Sequence, residues 1–186
     1  MKKNIAFIWV MIFSTMILAG CWSKKELNEL AIVSALGIDK TEDGYLVSAQ
    51  IINPSEIAGK SRSGRPETVT FRKSGKTIMD ALKKISMDSP RKGYMAHLRE
   101  VVFGEKMARE GIKDALDILA RQPEMRSDFF LTVAKGSTAY DILNVTTALE
   151  RVPANKLFTT LEQSEKVWAP TKTVTLDELI NSAVSK

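Results

Sequence analysis

Thiol and imidazole are nearly missing from this chain, which has one cysteine, Cys21, and one histidine, His97, among 186 residues. One cysteine excludes an internal disulfide, so the core alone must hold the fold. One histidine excludes a multi-histidine metal site and the two-histidine helical zinc motif. No Gly-x-Ser-x-Gly elbow accompanies His97, so the usual setting of a serine nucleophile is missing as well. There is no internal repeat and no long low-complexity tract. Charge of one sign is also scarce: 27 Lys and Arg face 22 Asp and Glu, for a net +5. Setting aside Lys2 and Lys3 leaves +3, too weak and too scattered for a nucleic-acid surface. Such a balance is compatible with resting near an anionic membrane.

A long hydrophobic run is lacking too. The most apolar stretch, 5–18, is broken by Ser14 and Thr15. It would make about 21 Å of helix, short of the ~30 Å hydrocarbon core. It follows Lys2-Lys3 and precedes Leu18-Ala19-Gly20-Cys21. A basic start, an apolar run and small residues before a cut site form a secretory signal. The site resembles a bacterial lipobox. Ala19 and Gly20 are small enough for a peptidase cleft, and the thiolate of Cys21 is the natural nucleophile for a diacylglyceryl group. After cleavage the new amino group of Cys21 can be acylated, and two or three chains anchor where one is marginal. The alternatives are an ordinary signal with a stray cysteine and an uncleaved anchor helix. An unpaired cysteine in an exported chain demands an explanation, which lipidation supplies.

Beyond the cysteine, apolar runs at 31–38 and 45–52 flank Thr41-Glu42-Asp43-Gly44 and predict a hairpin. Residues 67–72 alternate as a third strand. The stretch 55–66, with Gly59, Gly64 and Pro66, reads as a mobile loop. Ile78, Leu82 and Ile85 mark an amphipathic helix capped by Ser74 and stopped at Ser89-Pro90. Strands are expected at 97–103 and 128–134. Between them a helix at 107–119 should break near Gly111. Ser137 is expected to cap a short helix ending at Leu143. Further helices are expected near 155–164 and 176–184. The expected architecture is α/β (α+β), a mixed sheet with helices packed on it. The expected organisation is a signal peptide at 1–20 and a lipid-proximal segment at 21–30. An N-terminal α/β domain at 31–150 follows, then a helical linker and the start of a truncated second domain at 151–186.

Chemistry is hard to find. Gly75-Lys76-Thr77 opens a helix, but a phosphate loop needs glycine at position 70, which is Thr70. Glu110, Asp114 and Asp117 read as solvated charges, and Glu100 and Glu105 flank a strand end without marking an acid–base pair. His97 reads as a partly buried polar residue at a strand start. Arg91, Lys92, Arg121 and Arg126 could form a basic rim, although solvated loop charges are the plainer reading. Trp22 and Trp168 are candidate exposed aromatics, and Trp22 beside the lipid would suit an interface. No enzymatic activity, metal or cofactor is expected.

Several motifs in order resemble one family. They are Cys21-Trp22-Ser23-Lys24-Lys25-Glu26-Leu27-Asn28-Glu29-Leu30-Ala31-Ile32-Val33, Gly37-Ile38-Asp39 and Gln50-Ile51-Ile52-Asn53-Pro54, followed by His97-Leu98-Arg99-Glu100-Val101-Val102-Phe103-Gly104-Glu105. Gly111-Ile112, Arg121-Gln122-Pro123-Glu124-Met125-Arg126 and Val133-Ala134-Lys135-Gly136 continue the series. Together they resemble the Ger(x)C family, C-subunit lipoproteins of nutrient germinant receptors in endospore formers. The resemblance implies a membrane-anchored subunit working with a polytopic A subunit and a transporter-like B subunit in the spore inner membrane, triggering germination in response to nutrients. Of the family's residues, the acylated cysteine carries over onto Cys21. The resemblance also implies relatives about twice as long, so this chain looks truncated near Thr175-Leu176-Asp177-Glu178-Leu179. The alternative function is a solute-binding envelope lipoprotein serving a transporter.

Overall fold

A computed structural model describes residues 30–57, 66–145, 152–167 and 173–185, with isolated positions 4 and 9. Most of the expected signal stretch, Cys21, Trp22, residues 58–65 of the expected loop and Trp168 lie outside the described residues.

The expected hairpin is present. Strand β1 (Leu30–Thr41) turns through Glu42-Asp43 into antiparallel β2 (Gly44–Ile52). Gly44 adopts φ +146°, and a Cβ there would strike the Gly75 carbonyl, so the turn needs glycine. After a one-turn helix α1 (Pro54–Ile57), strand β3 (Thr68–Gly75) pairs with β2 to complete a meander. The chain then crosses through α2 (Ile78–Asp88) to a short strand, β4 (Lys92–Tyr94), which joins the start of β1 in parallel. Strand β5 (Glu100–Gly104) joins β1 further along, also in parallel. Helices α3 (Glu105–Glu110) and α4 (Lys113–Ala120) carry the chain to β6 (Phe130–Ala134), parallel to β5. Three helices follow: α5 (Ala139–Leu143), α6 (Pro153–Val167) and α7 (Leu176–Val184). The result is a mixed six-stranded sheet of order β3-β2-β1-β5-β6, with β4 beside β1. Among the described residues no helix is long and apolar enough to cross a membrane.

Helix ends follow local chemistry, with two shifts from expectation. Strand β3 runs on to Gly75, which still pairs with Tyr45, so Ser74 is a strand residue. Thr77 caps α2 instead, accepting the Asp80 N–H at 3.1 Å. Thr138 rather than Ser137 caps α5, accepting the Asp141 N–H at 3.1 Å. The predicted break at Gly111 is there: its φ of +112° ends α3 as only glycine does cheaply. Pro153 opens α6, where a missing N–H costs nothing. Thr175 and Glu178 form a capping box on α7.

Two cores sit on opposite faces of the sheet. The larger gathers Val33, Leu36, Ile38, Val47, Val101 and Phe103 beneath Ile78, Leu82 and Ile85 of α2, Met107 of α3, and Ala115 and Leu119 of α4. Each of the larger of these side chains contributes roughly 1.5–3 kcal/mol by leaving water. The smaller gathers Ala35, Val102 and Ala134 beneath Ala139 and Leu143 of α5, with Val152 and Ala154 at the start of α6. The stretch 151–186, expected to be a linker and the start of a second domain, places Val152 and Ala154 in this core and Leu176 in the larger one.

Candidate functional site

The smaller core is where polar chemistry has been buried. Strand register aligns Thr70, Gln50, Ala35, Glu100 and Phe130 in one row across five strands. Gln50 and Glu100 are both closed to solvent. Ala35 between them is too small to fill the second face, so longer polar side chains can lie over it. The Gln50 amide donates to the Leu143 carbonyl at 2.6 Å. Its Oε1 accepts the Ala154 N–H at 3.0 Å and the Ser34 hydroxyl at 3.2 Å. One side chain thereby ties the end of α5 and the start of α6 to the sheet.

Two further residues let α5 lie close. A Cβ at Gly37 would come within 3.1 Å of Ala139 Cβ and Leu143 Cδ1. Asp39 accepts the Ala139 N–H at 2.8 Å and the Tyr140 N–H at 3.2 Å. A Cβ at Gly104 would collide with the Asp39 carboxylate, so the neighbouring strand must be bare there. The ends of parallel strands beside a helix N-terminus are a ready anion site. Here the protein's own carboxylate occupies it. Glu105 plays a similar part at the rim. It accepts the Gly136 N–H at 2.7 Å and an Arg109 N–H at 2.5 Å, and these partners hold its carboxyl below the usual range.

Glu100 has no such compensation. The Thr132 hydroxyl donates to its Oε1 at 2.6 Å, while Oε2 has no partner. Burial pushes the carboxyl up to about 7, against the downward pull of Thr132. Raised carboxyls of this kind gather at functional sites, although Glu100 is closed to solvent and could not meet a solute directly.

Beside Glu100, a cleft of about 130 Å³ is lined by Ala96, His97, Leu98, Arg99, Arg126, Asp128 and Phe158. It is well below the ~300–1,000 Å³ of most small-molecule pockets. A larger concavity of about 390 Å³ runs along Thr159, Thr160, Gln163, Ser164 and Val167 of α6, with no charged group among these residues.

The residues singled out from sequence scatter. His97 is exposed in the turn before β5, not partly buried at a strand start, because β5 begins only at Glu100. It meets the Tyr94 ring edge-on at 5.7 Å. Most of the expected basic rim is paired: Arg121 with Asp117 at 2.9 Å, Arg126 with Asp128 at 2.8 Å, Lys92 with Glu124 at 3.5 Å. Glu110, Asp114 and Asp117 are exposed, as expected. The Lys76 N–H donates to Asp80 at 3.2 Å, so the helix start is not offering it to a phosphate. Among the described residues no cluster could hold a metal ion. Cys21 lies outside them. Sequence reading missed the buried group on the second face. In Val47-Ser48-Ala49-Gln50-Ile51 the alternation suggests a solvated polar face, yet Ser48 and Gln50 are buried.

Comparison with known proteins gives a consistent result. The profile of the spore germination protein N-terminal domain matches residues 23–186. Spore germination protein KC of Bacillus subtilis (strain 168) is 36% identical over 188 residues, covering 98% of this chain and 46% of that protein. The putative spore germination protein YfkR of the same organism is 34% identical, covering 84% of this chain and 42% of its own length. Spore germination protein B3, also from that organism, is 33% identical, covering 74% and 37%. The chain thus spans less than half the length of these curated relatives. No solved structure matches it. With the ordered motifs and a profile match over nearly all of its length, the chain belongs to the Ger(x)C family of spore germination proteins.

Proposed function

We propose that this protein is a lipid-anchored subunit of a nutrient germinant receptor. Its acylated residue is Cys21, and its globular part lies on the outer face of the cell membrane, the spore inner membrane. It works there with a polytopic A subunit and a transporter-like B subunit, as a binding and scaffolding module rather than an enzyme. The observation that carries this reading is the family match over residues 23–186. Leu18-Ala19-Gly20-Cys21 supports the anchor, since a peptidase needs the small pair and acylation needs the thiol. The absence of a second histidine or cysteine in the sequence supports a non-catalytic role. The small cleft at Arg99 and Phe158, and a concavity along α6 that brings no charged group to a ligand, give little support to a solute-capturing alternative.

The test is a Cys21→Ala strain. Mass spectrometry of the native protein is expected to show an acylated, cleaved N-terminus at Cys21, and an uncleaved precursor in the variant. The variant spores are expected to lose nutrient-triggered germination to the same degree as a gene deletion. Native protein without acyl chains refutes the anchor, and a deletion strain with unchanged responses to every nutrient refutes the receptor role.

A further inference from the structure

Among the described residues, Glu100 is a buried ionisable group whose charge nothing on the second face balances. It is wholly closed to solvent, one carboxyl oxygen has no partner, and the other has only a hydroxyl. The titratable groups on the elements packed on this face are engaged elsewhere. Asp39 of β1 holds the start of α5, and Asp141 of α5 accepts from Thr138 at 2.7 Å. On α6, Glu162 pairs with Lys166 at 2.8 Å, Glu165 accepts from Thr173, and Lys156 makes no bond to Glu100. Tyr140 of α5 lies under the Arg72 guanidinium at 4.3 Å. Among the described residues no charged side chain acts on Glu100, whose carboxyl responds to burial and to Thr132.

What holds α6 to the sheet flanks this group in the same cross-strand row. Gln50, two strands away, takes the Ala154 N–H. Phe130, paired with Glu100, stacks on Phe158 with centroids 4.4 Å apart and planes 11° from parallel. Arg99, the residue before Glu100, covers the other reach of that ring at 5.1 Å. Arg99 is thus the nearest cation in sequence, and it is engaged in holding α6.

We propose that Glu100 is a protonation latch for α6: neutral, it allows the helix to dock on the sheet, and ionised, it loosens that docking. An unpaired carboxylate in a dry layer demands water or a cation. Water can enter where α6, which packs on β5 and stacks Phe158 on Phe130, lifts, and Arg99 can turn to Glu100 by leaving Phe158. The direction follows from linkage. The docked carboxyl titrates near 7, and an ordinary exposed one near 4.5. Both are protonated below the lower value, so docking is complete there. As pH rises from the lower value to the upper, the released state loses its proton first, and release grows by up to about tenfold per pH unit. Above the upper value both states are ionised and the loosening levels off. This goes beyond the receptor reading and does not depend on it.

Hydrogen exchange followed by mass spectrometry on the full chain in mild detergent tests the latch. The readout is protection of α6 relative to β2, which normalises the intrinsic pH effect. From about pH 5 to about pH 8 the ratio is expected to fall at least tenfold in the wild type. In Glu100→Gln, which cannot ionise, it is expected to stay flat. In Thr132→Val, which removes the hydroxyl that donates to the carboxylate, the fall is expected to continue to a higher pH than in the wild type. A wild-type ratio that does not change, a Glu100→Gln ratio that falls as the wild type's does, or a Thr132→Val transition ending at the same or lower pH overturns the proposal. Should Glu100→Gln fail to fold, Thr132→Val alone still decides.

Discussion

One face of the sheet is closed with hydrocarbon and the other with hydrogen bonds. On the first, Leu36, Ile38, Val101 and Phe103 interlock with α2, α3 and α4, and the buried side chains that form this core carry no charge. On the second, Gly37, Ala35 and Val102 let two helices approach, and Gln50, Asp39 and Ser34 fix where they sit. The difference is one of error tolerance. Apolar packing loses stability by degrees as atoms are removed, whereas a buried amide with three partners strands all of them when it goes. The first face supplies most of the free energy. The second supplies position, and so determines where α5 and α6 lie relative to the strands.

The contrast can be broken or sharpened by substitution. The largest effect is expected from Phe103→Ala on the hydrocarbon face, a loss of about 3–5 kcal/mol in urea unfolding. An equal loss there and at an exposed position would mean that no dry core exists. Gln50→Leu keeps the volume but leaves the Ala154 N–H and the Leu143 carbonyl unpaired. It is expected to cost about 1–3 kcal/mol. Its distinguishing mark is faster hydrogen exchange in α5 and α6 than in α2, and uniform exchange would erase the contrast between the faces. Arg121→Ala removes an exposed pair with Asp117 and lies on neither face. It is expected to lower stability by at most about 0.5 kcal/mol in thermal melts, which sets the floor for the series.

How much of this was legible in the sequence differs between the faces. The hydrocarbon face announces itself: Ile78, Leu82 and Ile85 recur at helical spacing, and Val101 and Phe103, in an unbroken apolar run, have nowhere to be but inside. Gly111 marked the break between α3 and α4, and the mixed sheet followed from the order of elements. The second face was hidden because its polar residues look like solvent-facing positions of a half-buried strand. Nothing in Ser48 or Gln50 says that α5 and α6 return to cover them from about a hundred residues downstream. Glu100 was visible only as a carboxylate flanking a strand; its burial depends on its neighbours across the sheet, β6 among them, which local pattern cannot place. Strand β4 is three residues long and gave no periodicity to read. The expected anchor at Cys21 is the reverse case: it rests on local sequence alone, and Cys21 lies outside the described residues.

The bulge in β1 has a consequence for how this family can vary. Register shifts between Val33 and Ala35, with Ser34 as the extra residue. Were Ser34 paired regularly instead of bulged out, Ile32 and Val33 would point the opposite way relative to Leu36 and Ile38. The same strand is read on both edges, by β2 along most of its length and by β4 and β5 on either side of the bulge. Away from Ser34, an insertion or deletion inside β1 would turn the side chains on one side of it to the opposite face unless a further bulge absorbed it. Changes of length have to collect outside it, at the Glu42-Asp43 turn or beyond Gly111, so β1 is the ruler against which the rest of the domain is measured.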